Sequence, residues 1–205
     1  MDYYSLVRAS PHIYPQAIFL NQEFAHQISN EIVLTGSEKL KMRMEGGAEE
    51  TDCLSQTTIS ATGLLVSQRL LKVLSNYKLM EKQIIPVESD SKTPYYWLSF
   101  LGSIEEVDWL NYSQSSFYYR QFGVRKGWFT CGSSEELIQF KKNVVGNMGS
   151  VHVEEKILTS DFNLDMFFIP YLDSAIYVSN KLKNALEENG ISGLAFKEAA
   201  FRVEG

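Results

Sequence analysis

The chain has 205 residues, 44% of them apolar and 21% charged, and a formal net charge of −6. Those totals suit a soluble folded domain with a sizeable core and exclude a disordered chain. The acidic balance argues against a binder of phosphate backbones, which needs a basic stripe.

No stretch approaches the roughly 18 apolar residues of a membrane helix. The opening Met1-Asp2-Tyr3-Tyr4-Ser5 lacks the basic and apolar regions of a signal peptide. Cys53 and Cys131 lie far apart and outside any Cys-x-x-Cys, which suits a reducing compartment. The expectation is a cytoplasmic protein of one domain over residues 1–205. Its 1–62 part is β-rich with an acidic loop, and 63–205 is a scaffold built on a duplicated module.

In chain order, residues 3–8 read as a strand, and 17–20 as a second after a turn at Pro11 and Pro15. Phe24, Ile28 and Ile32, four apart, predict a short helix within 21–34. Leu40, Met42 and Met44 alternate with Lys41 and Arg43, as in a strand or extended arm. Residues 46–52 form a polar, acidic loop, and 57–62 are β-prone. A strand and helix follow at 64–74, with Ser67 in cap position, then a short strand at 84–87 and a loop ending at Pro94. Tyr95-Tyr96-Trp97-Leu98-Ser99-Phe100-Leu101 is an apolar run of strand length, more consistent with a central strand than with a base-stacking platform.

Residues 104–113 mix acids with apolar side chains, as in a loop and half-buried edge strand. Two strands, 117–122 and 128–130, flank a turn region between Gly123 and Gly127. Ser133 and Glu136 have capping-box spacing before a helix that carries Leu137, Phe140 and Val144 and ends at Gly146-Asn147. Further β segments around 151–157 and 167–170 lead to the strand at 176–178, a helix capped by Ser179 and stopped at Asn189-Gly190, and a strand at Leu194 and Phe196. Sliding 64–74 onto this last unit pairs Ser67 with Ser179, Arg69 with Lys181, Leu70 with Leu182 and Leu74 with Leu186. The predicted fold is α+β, with mixed or antiparallel sheet, a few short helices and two related strand–helix–strand modules.

Local motifs for chemistry are lacking. His12, His26 and His152 fit no metal-ligand spacing, and neither a Gly-x-Ser-x-Gly elbow nor a phosphate-binding Gly loop is present, so no metal, cofactor or catalytic residue is assigned. Cys131 is the most tempting nucleophile, against the alternative of a small buried cysteine at a strand end. Acids cluster at 45–52 and 105–108, and the second cluster is interleaved with Val107, Trp109, Leu110 and Tyr112. Acids framed by aromatics suit a protein-binding surface, so Glu49, Glu50, Asp52, Glu105, Glu106, Asp108 and Tyr112 are the candidate contacts.

Three segments, taken in order, resemble a family of bacterial immunity proteins from polymorphic toxin systems, once catalogued as a domain of unknown function and later linked to myxobacterial immunity genes. The first is Leu65-Val66-Ser67-Gln68-Arg69-Leu70 with Ile85-Pro86-Val87. The second is Tyr95-Tyr96-Trp97-Leu98, leading to Val107-Asp108 and Ser113. The third runs from Tyr177 through Ser179-Asn180-Lys181-Leu182 to Asn189-Gly190-Ile191-Ser192-Gly193-Leu194-Ala195-Phe196, and together they span 63–197. The resemblance implies a non-enzymatic inhibitor that binds a cognate toxin domain; the acidic charge and the lack of a long apolar stretch add the expectation of neither nucleic acid nor membrane as partner. It carries over no catalytic motif. Two other classes stay open: a small hydrolase with a non-local site near Cys131 or the 105–108 acids, and an adaptor that binds another protein without a toxin.

Overall fold

The computed structural model describes residues 2–8, 16–36 and 38–204. Among these residues the chain is α+β, with fourteen strands in mixed and antiparallel sheets and four short helices. β1 (Tyr3–Arg8) and β2 (Ala17–Phe19) stand where predicted, while the turn at Pro11 and Pro15 lies outside the described residues. α1 (Gln22–Gln27) ends early, because Ile28 is extended, and Ile32 is exposed. β3 (Leu40–Met44) buries Leu40 and Met42 and exposes Lys41 and Arg43. Residues 57–62 form no strand. The Gln56 amide serves both backbone groups of Ile59 instead, accepting from its N–H at 2.8 Å and donating to its carbonyl at 3.1 Å.

β4 (Cys53–Leu54) precedes the first module, which is β5 (Gly63–Ser67), α2 (Gln68–Leu74) and β6 (Lys82–Ser89). β7 (Tyr95–Phe100) is the apolar run, and it is central, between β6 and β5. A 3-10 turn (Ile104–Glu106) replaces the edge strand expected in 104–113, since Glu106 Oε2 accepts the Ser103 N–H at 2.9 Å and closes a tight cap. β8 (Ser116–Gln121) and β9 (Val124–Phe129) make a hairpin. α3 (Ser134–Gly146) begins at Ser133, whose Oγ accepts the Glu136 N–H; the Glu136 carboxylate reaches one residue further back than predicted, to the Gly132 N–H at 2.7 Å. β10 (Gly149–Leu158) and β11 (Met166–Ile169) lead to the second module, β12 (Asp173–Ser179), α4 (Asn180–Glu188) and β13 (Leu194–Ala199), and β14 (Phe201–Val203) follows.

The sheets have the orders β2-β3-β6-β7-β5-β4, β11-β12-β1-β13 and β14-β10-β8-β9. The first two contain the same four-stranded unit. β7 is antiparallel to both β5 and β6, and β1 is antiparallel to both β12 and β13, so each module is a parallel crossover split by one inserted strand. In register, Tyr95 faces Ser67 as Tyr3 faces Ser179, which makes Tyr95-Tyr96 the counterpart of Tyr3-Tyr4.

The correspondence reaches single hydrogen bonds. Ser67 Oγ accepts from the Leu70 N–H at 3.1 Å and donates to Asp52 Oδ1 at 2.7 Å. Ser179 Oγ accepts from the Leu182 N–H at 3.2 Å and donates to Asp165 Oδ1 at 2.7 Å. Tyr95 donates its hydroxyl to the Thr51 carbonyl and Tyr3 to the Leu164 carbonyl, each just before the aspartate. The second carboxylate oxygen crosses between modules. Asp52 Oδ2 accepts the N–H of Ser192, after α4, and Asp165 Oδ2 accepts the N–H of Lys78, after α2, both at 3.0 Å. Each half thus holds the loop that follows the other half's helix.

The apolar helix positions pack as their spacing predicts: Leu70, Leu74, Leu182 and Leu186 all lie in the larger core with Leu98, Phe100, Phe167 and Tyr177. A smaller core, around Phe19, Phe24, Leu65 and Trp97, covers the other face of the six-stranded sheet. Gly63 lies where the sheet is tightest: an added Cβ would come within 2.5 Å of the Leu98 carbonyl and 2.7 Å of the Trp97 ring.

Candidate functional site

The structure separates the candidate contacts into surface and interior. Glu49 and Glu50 are exposed on the loop before β4, and the Glu50 carboxylate accepts the Ser91 and Thr93 hydroxyls at 2.9 Å each, tying that loop to 89–94. Glu105, Glu106 and Asp108 are exposed on and after the 3-10 turn. Glu105 lines a cavity of about 420 Å³ with Ser29, Glu31, Lys142 and Tyr171.

Asp52 and Tyr112 have other roles. Asp52 is 8% exposed, and its carboxylate is occupied by Ser67, Ser192 and Arg69. Tyr112 is 7% exposed, stacks on Phe117 and donates its hydroxyl to the Val107 carbonyl at 3.0 Å. Both are therefore placed as structural residues rather than surface contacts. The acids do not meet in one site: one group sits against the 89–94 loop, the other beside the 29–31 and 132–134 segments. Among the described residues no group of three or more His, Cys, Asp or Glu side chains is placed to hold a metal ion.

Cys131 is buried, and burial pushes its thiol up to about 11, with the Glu136 carboxylate adding to the effect. At neutral pH it is the protonated, poorly nucleophilic form. Cys53 is pushed up to about 12, chiefly by burial. The ring of His152 lies 2.8 Å from Ser150 Oγ, not from either cysteine. Burial, and next the Arg120 charge, hold its pKa below the ordinary value, so this imidazole is neutral near pH 7. It stacks on Tyr118, over whose ring the Arg125 guanidinium sits at 3.8 Å. This Ser-x-His pair on one strand face was open to sequence reasoning through its period of two, a spacing shared by any strand.

A groove of about 840 Å³ runs between α2 and the β6–β7 face. Leu71, Leu79, Ile84 and Tyr96 form its apolar floor, and Lys72 and Lys82 stand on its rim. Ile84 is 47% exposed. The sequence carries no signal for this groove, because it exists only through what fails to cross it.

Among the described residues no helix is long and apolar enough to cross a membrane. Compared with known proteins, the chain matches no family model and no curated protein.

Proposed function

We propose that the chain is an immunity protein that works in the cytoplasm, binding a cognate toxin domain and masking its active or substrate-binding surface. The observation that carries this reading is the ordered resemblance of three segments over residues 63–197. The residues that carry the resemblance have structural work to do: Ser67 and Ser179 cap helices, and Gly190 stops one at φ 59°. Contact with a partner then falls to exposed loops and grooves. The exposed acids among the candidate contacts form two separate groups, Glu49 with Glu50 and Glu105 with Glu106 and Asp108, and one such group set against a basic toxin surface raises the on-rate and fixes register. The alternative of a hydrolase centred on Cys131 would need a thiolate where the protein holds a buried thiol.

The test is co-expression with the toxin encoded beside it. Rescue of growth and a complex that survives gel filtration are expected. Continued killing, with no complex, overturns the reading.

A further inference from the structure

The duplicated frame shows what a filled groove looks like. In the second module Lys183 lies across the apolar floor, its ammonium 5.2 Å from the Tyr4 ring centre and 5.8 Å from that of Phe196. Its charge is anchored at 2.7 Å on Glu187, one turn on. The registers place Tyr96 where Tyr4 stands and Ile84 where Phe196 stands. Counting from the cap serines places Leu71 where Lys183 stands and Ser75 where Glu187 stands. Leu71 is too short to cross and Ser75 has no charge to anchor. The first module's floor therefore stays open.

The chemistry of the missing occupant follows from the rim. Neither Lys72 nor Lys82 has an ion-pair partner among the described residues. Arg69, at the same end, is already held by Asp52 and the backbone carbonyls after α4. The second module's occupant is an aliphatic stem ending in a cation on a carboxylate. The first module's rim, being cationic, calls for an apolar body flanked by carboxylates. The groove also adjoins one of the two acidic groups. Gln68, at its end, donates its backbone N–H to the Pro94 carbonyl at 3.1 Å, next to the Thr93 that holds Glu50.

We infer that this groove receives the anchor of the toxin: an apolar side-chain cluster flanked by acidic residues that meet Lys72 and Lys82, with basic residues of the toxin reaching Glu49 and Glu50. This inference rests on the proposed toxin-binding function. It assigns the interface to the α2 side and leaves Glu105 and Asp108 outside it. A buried apolar anchor inside a charged rim is the usual source of most binding energy in such an interface.

The decisive variant is Leu71→Lys with Ser75→Glu, which copies the second module's clasp and closes the groove. Binding to the neighbouring toxin domain, purified as an active-site variant, is measured by titration calorimetry, with melting temperatures as the control for folding. The double variant should bind about 30-fold more weakly, and Glu105→Lys with Asp108→Lys within about threefold of the unmodified protein. If Leu71→Lys with Ser75→Glu melts early, Ile84→Glu replaces it, at a position already open to solvent, with the same expected loss. Groove variants that bind as tightly as the unmodified chain overturn the groove and leave the immunity function standing. An unmodified chain that does not bind overturns that function and the anchor with it.

Discussion

The two modules share a frame and differ in how it is finished. Both have the buried aspartate, the capping serine, the tyrosine donor and the paired leucines. The second has a nine-residue helix with Lys183 clasped to Glu187 across the floor; the first has a seven-residue helix and an open floor. What the halves share is what each needs to fold, since every shared polar group is buried and satisfied by a partner. The clasp and the open floor differ at the surface, where a change costs little stability and is free to serve binding.

The largest expected effect breaks the shared part. Asp52→Ala and Asp165→Ala strand buried donors from both modules, and each should cost about 3–4 kcal/mol in a denaturant melt. Near-equal losses support equivalent roles; a loss below about 1 kcal/mol at either site would end the comparison. Gly190→Val comes next, at about 1–3 kcal/mol, because a β-branched residue resists φ 59°. α2 closes without this device, since Asn76, which follows its cap as Gly190 follows that of α4, does not have a positive φ, so Asn76→Val should cost far less. Ser67→Ala and Ser179→Ala should each cost about 1–2 kcal/mol, the same within error.

A titration separates the halves again, since Cys53, which follows Asp52, occupies the place of Met166, which follows Asp165. Burial raises the Cys53 pKa from 9.0 to about 12 in the fold. The unfolded chain therefore releases this proton first as pH rises, and stability falls above pH 9 by about 1.4 kcal/mol per unit from this group alone. Cys53→Met should flatten that loss between pH 9 and 10; an unchanged slope in thermal melts would assign it elsewhere. The smallest effect is at the clasp itself. Lys183→Met removes a partly exposed helix pair and should change stability by less than about 0.5 kcal/mol.

Local signals in the chain explain much of this frame. The Ser67 and Ser179 caps, the Gly190 stop, the paired leucines and the central apolar strand are all written within a few residues of where they act. The aspartates are not, because they sit 15 and 14 residues before their serines, across loops of different sequence. Asp52 therefore reads as one more acid in an acidic loop. Tyr3-Tyr4 and Tyr95-Tyr96 escape notice as a repeat because one pair precedes its module and the other follows it. Residues 57–62 have β-prone side chains, but the Gln56 amide takes the Ile59 backbone that a neighbouring strand would need. Of the candidate contacts, exposure follows local polarity for Glu49, Glu50, Glu105, Glu106 and Asp108, while the burial of Tyr112 depends on Phe117 and Val107 packing around it.

The inserted strand also sets the order of events during synthesis. β1 is made well before its partners, since it pairs Tyr3 with Ser179 on one side and with Ala199 on the other. Asp52 likewise waits for Ser192. The second half cannot close while the ribosome still holds β12 and β13, so the nascent chain carries β1 unpaired until they emerge, whereas β2 to β7 find their partners within residues 17–100. Pairing this distant makes for slow folding and a long window for strand-edge aggregation.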